Sequence, residues 1–299
     1  MKNKNDAAGT AAALAANIIF GCSFIFSKKA LSAAHPLMIL SVRFTVAFIA
    51  MSLLILTGKF RLSLKGKPKK RLLIMALAQP LLYFIFELYG LSLVSSALSG
   101  VIIALVPVAV MLLSVLFSGE KPTLLQGVCT AVSLVSVSVM SIISNDGKEN
   151  RTTGILLLAA AVLCAAVFNI LSRNESEHFS PFERTWFMFL IGAVGFNAAA
   201  IAVLRGKYIS ELITAAGSYS FWVAILYLAV LSSVAAFMLY NYSTTVISAT
   251  RASSFSNIIT VVTVIAGVTI LHERFTPIQY LLCALIILGV WGVNLDIRH

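Results

Sequence analysis

The sequence is poor in charge. Of 299 residues only 11% are charged, and the acidic ones number 11 against 22 basic. A soluble globular chain carries about 25% charged residues, so an enzyme with an ordinary aqueous surface is excluded. Disorder is excluded too, because 60% of the residues are hydrophobic and mean hydropathy is +0.97. Cysteine and histidine are scarce, with 4 of each. Cys22, Cys129, Cys164 and Cys283 lie singly inside apolar runs without CxxC spacing, so no disulfide framework or thiolate metal site is expected. His35, His178, His272 and His299 cannot be gathered into a metal site by spacing. His272-Glu273 is followed by Arg274 and Phe275 rather than completing HExxH, and no Walker loop, GxSxG or GxGxxG occurs. The expectation is a protein that is not an enzyme and holds no metal or other cofactor.

What the sequence has is long uncharged runs. They lie at about Thr10 to Leu31, Pro36 to Thr57, Leu72 to Leu93, Ser96 to Phe117 and Leu124 to Ile143. Beyond a polar stretch from Asn145 to Thr153, five more follow at about Gly154 to Leu171, Thr185 to Leu204, Phe221 to Tyr242, Ala252 to Leu271 and Pro277 to Leu295. A helix needs about 20 apolar residues to cross about 30 Å of hydrocarbon. The runs lack the alternation of an outer-membrane barrel, so the fold class predicted is all-α integral membrane with ten transmembrane helices.

Net charge is +11, which in a soluble protein would suggest nucleic acid. Placement decides otherwise: seven of the 22 basic residues fall between Lys59 and Arg71, in one loop between two apolar runs. Such a loop is held in the cytoplasm. With the amino terminus inside, the cytoplasmic segments carry fourteen basic residues, Arg173 and Arg184 among them, and the outer ones seven. Both termini are predicted cytoplasmic, in a plasma or inner membrane, and the partners expected are the lipid bilayer and a small-molecule substrate, not nucleic acid.

The chain also repeats itself. A shift of 145 residues lays Ser27, Lys28 and Pro36 onto Ser172, Arg173 and Pro181; a shift of 153 lays Tyr89, Ser95, Glu120, Thr123 and Gln126 onto Tyr242, Ser248, Glu273, Thr276 and Gln279. Two five-helix halves follow, 10–143 and 154–296. Five is odd, so the second half enters the membrane from the opposite side and the repeat is inverted, the plan on which many secondary transporters are built.

The residues Phe20 to Lys28 (FGCSFIFSK), Arg43 in LSVRF, Pro107 in IALVPVAV, and Glu120 and Glu273 in GEKPT and HERFT together resemble the repeats of the EamA-type family of the drug/metabolite transporter superfamily. The resemblance covers nearly the whole chain. It implies a ten-helix inner-membrane carrier moving amino acids or other small metabolites outward, with a substrate cavity between the halves. The second half departs from the pattern at Met188, where the first has Arg43, and at Thr260, where the first has Pro107.

Ionisable side chains inside a bilayer are costly and mark functional candidates. Arg43 and Glu87 stand within spans, about 10 Å and about 9 Å from the same predicted membrane face at 1.5 Å per residue, so an ion pair is expected, either a structural clamp or a site that substrate opens. Gln79, Tyr83 and Glu87 recur every four residues and form one stripe. With Tyr89 they are read as cavity lining. Tyr240, which matches Glu87 under the repeat, and Asn169, Asn241 and Asn257 are further pocket candidates. Pro80 and Pro107 are expected to kink their helices. Glu120 and Glu273 read as helix caps, and Gly192, Gly195, Gly289 and Gly292 as points of close packing or flexibility.

The function these features predict is secondary-active export of a small polar metabolite such as an amino acid, by alternating access. Glu87 is the coupling candidate, with a proton as the ion. The alternatives are an exporter of cationic drugs or amines in which Glu87 alone binds the charge, and a polytopic lipid-modifying enzyme using Glu87 and Tyr83.

Overall fold

The computed structural model describes residues 2–58, 60–118, 123–143, 151–247, 252, 255–273 and 275–295. Among them there is no β-strand. The helices are α1 (Lys2–Leu31), α2 (Pro36–Leu56), α3 (Lys69–Leu93), α4 (Ser96–Ile103), α5 (Val106–Ser118), α6 (Leu124–Ile143), α7 (Arg151–Glu175), α8 (Pro181–Leu204), α9 (Tyr208–Ala216), α10 (Tyr219–Val246), α11 (Ser256–Thr269) and α12 (Pro277–Leu295). Among the described residues seven helices are long and apolar enough to cross a membrane, and three shorter apolar helices, Leu124–Met140, Ser256–Thr269 and Pro277–Gly292, accompany them.

Helix starts are set by local chemistry. His35, Ser95, Ser180 and Ser218 each accept a backbone N–H in the first turn of the helix that follows, and Pro36 and Pro181 sit where a helix needs no N–H donor. Ser180 and Glu183 form a reciprocal capping box. Two cations close helix ends. Lys28 Nζ donates to the carbonyls of Leu91 and Val94, both at 2.7 Å, and Arg173 donates to those of Thr244 and Thr245 at 3.0 and 2.8 Å. These are matched sites: Lys28 and Arg173 are 145 residues apart, and Leu91 and Thr244 are 153 apart.

Helices α2 and α8 pack along their length with the same correspondence. Ser41 donates to Asn197 at 2.8 Å, and Trp186 donates to Ser52 at 3.1 Å; a shift of 145 turns one pair into the other. Phe44 and Phe189, also 145 apart, meet with ring centroids 5.7 Å apart.

The helix that carries the expected polar stripe, α3, and the helix that carries Tyr240, α10, are both irregular. In α3 a π-helical segment, Leu77–Leu82, holds Gln79 in an extended conformation ahead of Pro80. In α10 the segment Tyr227–Ala235 is π-helical. Such segments are frequent at functional sites. The bend in α3 is accommodated by α8, where a Cβ at Gly192 would meet Phe44 and Pro80 at 2.9 and 3.0 Å and one at Gly195 would strike Leu81. The fourth run breaks between Ile103 and Val106, just before Pro107, whose missing N–H cannot serve a continuous helix. Gly289 and Gly292 seat α12 on Cys129 and Ser133 of α6, so these glycines serve an internal contact.

Candidate functional site

A cavity of about 60 Å³ opens between α1, α3, α4, α5, α7, α10 and α11. At roughly 10–15 Å³ per water it has room for several. Its walls are built from matched positions: Gln79 and Ser232, Phe84 and Phe237, Glu87 and Tyr240, Ile103 and Ser256, and Val106 and Ile259 are each 153 apart, and all line it. Phe20 with Ala165, Ser23 with Phe168 and Phe24 with Asn169 are each 145 apart and line it too.

Seven aromatic rings, Phe20, Phe24, Tyr83, Phe84, Phe168, Phe237 and Tyr240, surround one carboxylate, Glu87. That side chain is 3% exposed, and its Oε2 has no hydrogen-bond partner among the described residues. A buried polar atom left unsatisfied costs about 1–3 kcal/mol, more when charged. Most other polar groups in the wall are already engaged. Asn17 and Asn169 donate to carbonyls one turn back, of Ala13 and Ala165, at 2.7 and 2.8 Å, and Tyr240 donates its hydroxyl to Asn169 Oδ1. Ser256 Oγ is, like Glu87 Oε2, buried without a hydrogen-bond partner among the described residues.

The ion pair expected between Arg43 and Glu87 is not formed. An ion pair is formed elsewhere, by Lys67 with Glu183 at 2.8 Å, on the connector before α3 and at the start of α8. Arg43, buried in α2, instead donates Nε to Ser233 Oγ at 2.9 Å and Nη2 to Ser232 Oγ at 3.2 Å. Its guanidinium lies 4.3 Å from the centroid of the Phe84 ring. Two hydroxyls and an aromatic face hold it in place, out of the cavity lining.

Of the other candidates, Gln79, Tyr83, Asn169 and Tyr240 line the cavity, and Tyr89, Asn241 and Asn257 do not. Tyr89 packs edge-on against His35, at 6.1 Å between centroids. Asn257 turns its amide to the carbonyl of Ile287 at 3.4 Å. Asn241 belongs to a different polar cluster. It donates to Thr185 at 2.9 Å and accepts from Ser172 at 2.8 Å, beside Arg184. Arg184, read from sequence as a loop cation, is fully buried in α8 and donates to the carbonyls of Ser172 and Asn241 and the hydroxyls of Ser172, Thr244 and Thr245. The helix begins at Pro181, three residues before it, which carries the guanidinium into the interior. Glu273 does cap a helix, but its partner is α4: its carboxylate accepts from the backbone of Ser96 at 2.8 Å and Ala97 at 3.0 Å. Glu120 lies outside the described residues.

The sequence profile of the EamA-like transporter family matches this chain twice, over residues 7–142 and 152–295. The chain belongs to the EamA-like transporter family. It is a membrane transporter of that family, and related chains carry the same description. It is 35% identical over 295 residues to the uncharacterized transporter YcxC of Bacillus subtilis, covering 96% of this chain and 93% of that one. It is 26% identical over 286 residues to the uncharacterized inner membrane transporter YedA of Escherichia coli, covering 93% and 88%. A solved crystal structure with 16% identity superposes with a TM-score of 0.67 over 95% of each chain, a likeness of fold.

In this EamA-like chain the residues that sequence reading passed over are mainly the apolar and small ones. Phe20, Phe24, Phe84, Phe168 and Phe237 line the cavity, yet the chain has 19 phenylalanines and pattern alone does not separate wall from core. Ser232 and Ser256 carried a usable signal, since the repeat places them opposite Gln79 and Ile103.

Proposed function

We propose that the cavity is the substrate site of a secondary-active carrier that exports a small amine-bearing metabolite by alternating access. The observation that carries this reading is Glu87, a buried carboxylate with an oxygen lacking a partner among the described residues, facing a cavity of about 60 Å³ walled by aromatic rings. An ammonium group answers both features. It pairs with the carboxylate, and its charge is attracted to aromatic faces by up to about 2 kcal/mol once desolvated. Two inverted halves, 10–143 and 154–296, would give the site its two accesses. The reading is supported by the double match of the family profile and by the matched wall positions. The cytoplasmic position of both termini, in the inner or plasma membrane, follows from the basic loop.

The wall chemistry favours amines and organic cations over zwitterions. An amino acid needs a partner for its carboxylate. Arg43 is turned onto Ser232 and Ser233, leaving only neutral donors such as Tyr83 and Ser256 beside the space. A cation without a carboxylate makes no such demand.

The test is mass spectrometry of the medium from cells producing wild type or Glu87→Gln at matched membrane abundance. The reading expects an unmodified amine to accumulate with wild type only. Equal accumulation with both chains would remove Glu87 from the substrate path, and a modified product would point to an enzyme.

A further inference from the structure

Arg43 and Glu87 are opposite charges, both buried, on neighbouring helices of the first half, and they do not touch. Their positions elsewhere make this more specific. Under the repeat, Arg43 corresponds to Met188 and Glu87 to Tyr240, so the second half carries neither charge. Arg43 rests on two neutral serine hydroxyls of that second half, while Glu87 Oε2 has no hydrogen-bond partner among the described residues. The guanidinium already lies over Phe84, and Phe84 precedes Glu87 by three residues on α3. Residues three apart on a helix are neighbours, about 5–6 Å between Cβ atoms. The guanidinium is thus held over a ring one helical turn from the carboxylate, at the end of a long side chain with several rotatable bonds.

A carrier with an unpaired buried carboxylate has a difficulty once its cation has left. Moving that charge through the closed, dehydrated intermediate of alternating access is strongly unfavourable, so the empty carrier must find a positive charge or stay where it is. We infer that Arg43 is a built-in counter-ion for Glu87, bonded to Ser232 and Ser233 when the cavity is open to substrate and swinging to Glu87 to neutralise the empty carrier on its return. This inference rests on the amine reading above. It makes Arg43 a positioning residue outside the binding wall and gives it one task, permitting net efflux rather than only exchange of one amine for another.

The test uses the full chain in proteoliposomes with three radiolabelled probes, choline, putrescine and lysine. Net efflux into probe-free buffer is measured beside exchange against unlabelled probe, and the ratio of the two is the readout. Arg43→Gln is expected to lower that ratio at least tenfold and Arg43→Lys to keep it within threefold of wild type. Ser233→Ala removes a resting partner without touching the charge, so it is expected to raise the KM for the probe at least threefold, through stronger competition by Arg43 for Glu87, with net efflux preserved. Net efflux and exchange falling together in Arg43→Gln and in Ser233→Ala would make Arg43 a structural tether and overturn the inference. So would net efflux by Arg43→Gln that persists and stops when the proton gradient is collapsed, because a proton would then be the counter-ion. Transport of none of the probes, or transport indifferent to Glu87→Gln, would instead overturn the amine reading beneath it.

Discussion

Phe84 and Phe237 face one another with ring centroids 6.1 Å apart, and both line the cavity. They stand 153 residues apart, at corresponding stations of the two halves. One ring comes from each of the two stretches that match the family profile, and the two meet in the wall of the cavity. Glu87 breaks the correspondence there, since its counterpart is Tyr240. The cavity wall thus carries one negative charge among aromatic and neutral polar side chains.

The aromatic wall contributes through its faces as well as its volume. Phe237→Leu keeps an apolar side chain but removes the ring, and is expected to raise the KM for a quaternary ammonium by roughly 2- to 30-fold, the span of about 0.5–2 kcal/mol for a cation on an aromatic face. Uptake of choline and of its uncharged isostere 3,3-dimethylbutanol by proteoliposomes would check this. Loss confined to choline is the expected result, whereas equal loss of both would reduce the ring to a space-filler.

Arg184 holds α7, α8 and α10 together through neutral partners alone. Arg184→Met leaves buried carbonyls and hydroxyls unanswered and should lower stability by at least about 1–3 kcal/mol. Arg184→Lys should not restore it, because a point donor cannot reach partners spread around a planar fork. Thermal melts in detergent measure both, and a wild-type melting temperature for either variant would contradict the prediction.

Gly289 faces α6, where an added Cβ would strike Ser133 Oγ. Gly289→Leu is expected to cost about 1–3 kcal/mol by overpacking, leaving the oligomeric state in detergent unchanged. A change of oligomer without loss of stability would relocate this glycine to an interface between chains.

Sidedness is tested by labelling. In a chain lacking Cys22, Cys129, Cys164 and Cys283, Ser210→Cys should react with an impermeant maleimide in intact cells, and Lys65→Cys only after the membrane is opened. Both positions are exposed, one on α9 and one on the basic connector. Labelling of Lys65→Cys from outside would reverse the orientation.

The helical runs were legible in the sequence because a span writes itself as about 20 apolar residues, and the stripe of Gln79, Tyr83 and Glu87 because helical spacing sets side chains on one face. Partners were not legible. Arg43 bonds Ser233, which lies 190 positions away, and no spacing rule reaches that far, so matching depth suggested the wrong acceptor. Asn241 and Asn257 show a second limit: a polar residue in a span must face protein or water, but which of the two depends on neighbours that only packing supplies. Arg184 shows a third, since a span boundary four residues off moves a guanidinium from a loop into the interior.

The most direct test of the central claim is equilibrium binding of radiolabelled choline, putrescine and lysine to the purified chain. Wild type is compared with Glu87→Gln, and Glu273→Gln serves as a carboxylate control outside the cavity. Glu87→Gln is expected to bind at least tenfold more weakly, about 1.4 kcal/mol, with Glu273→Gln close to wild type. Binding by Glu87→Gln as tight as wild type would contradict it, because the cavity would then recognise its solute without the one charge it contains.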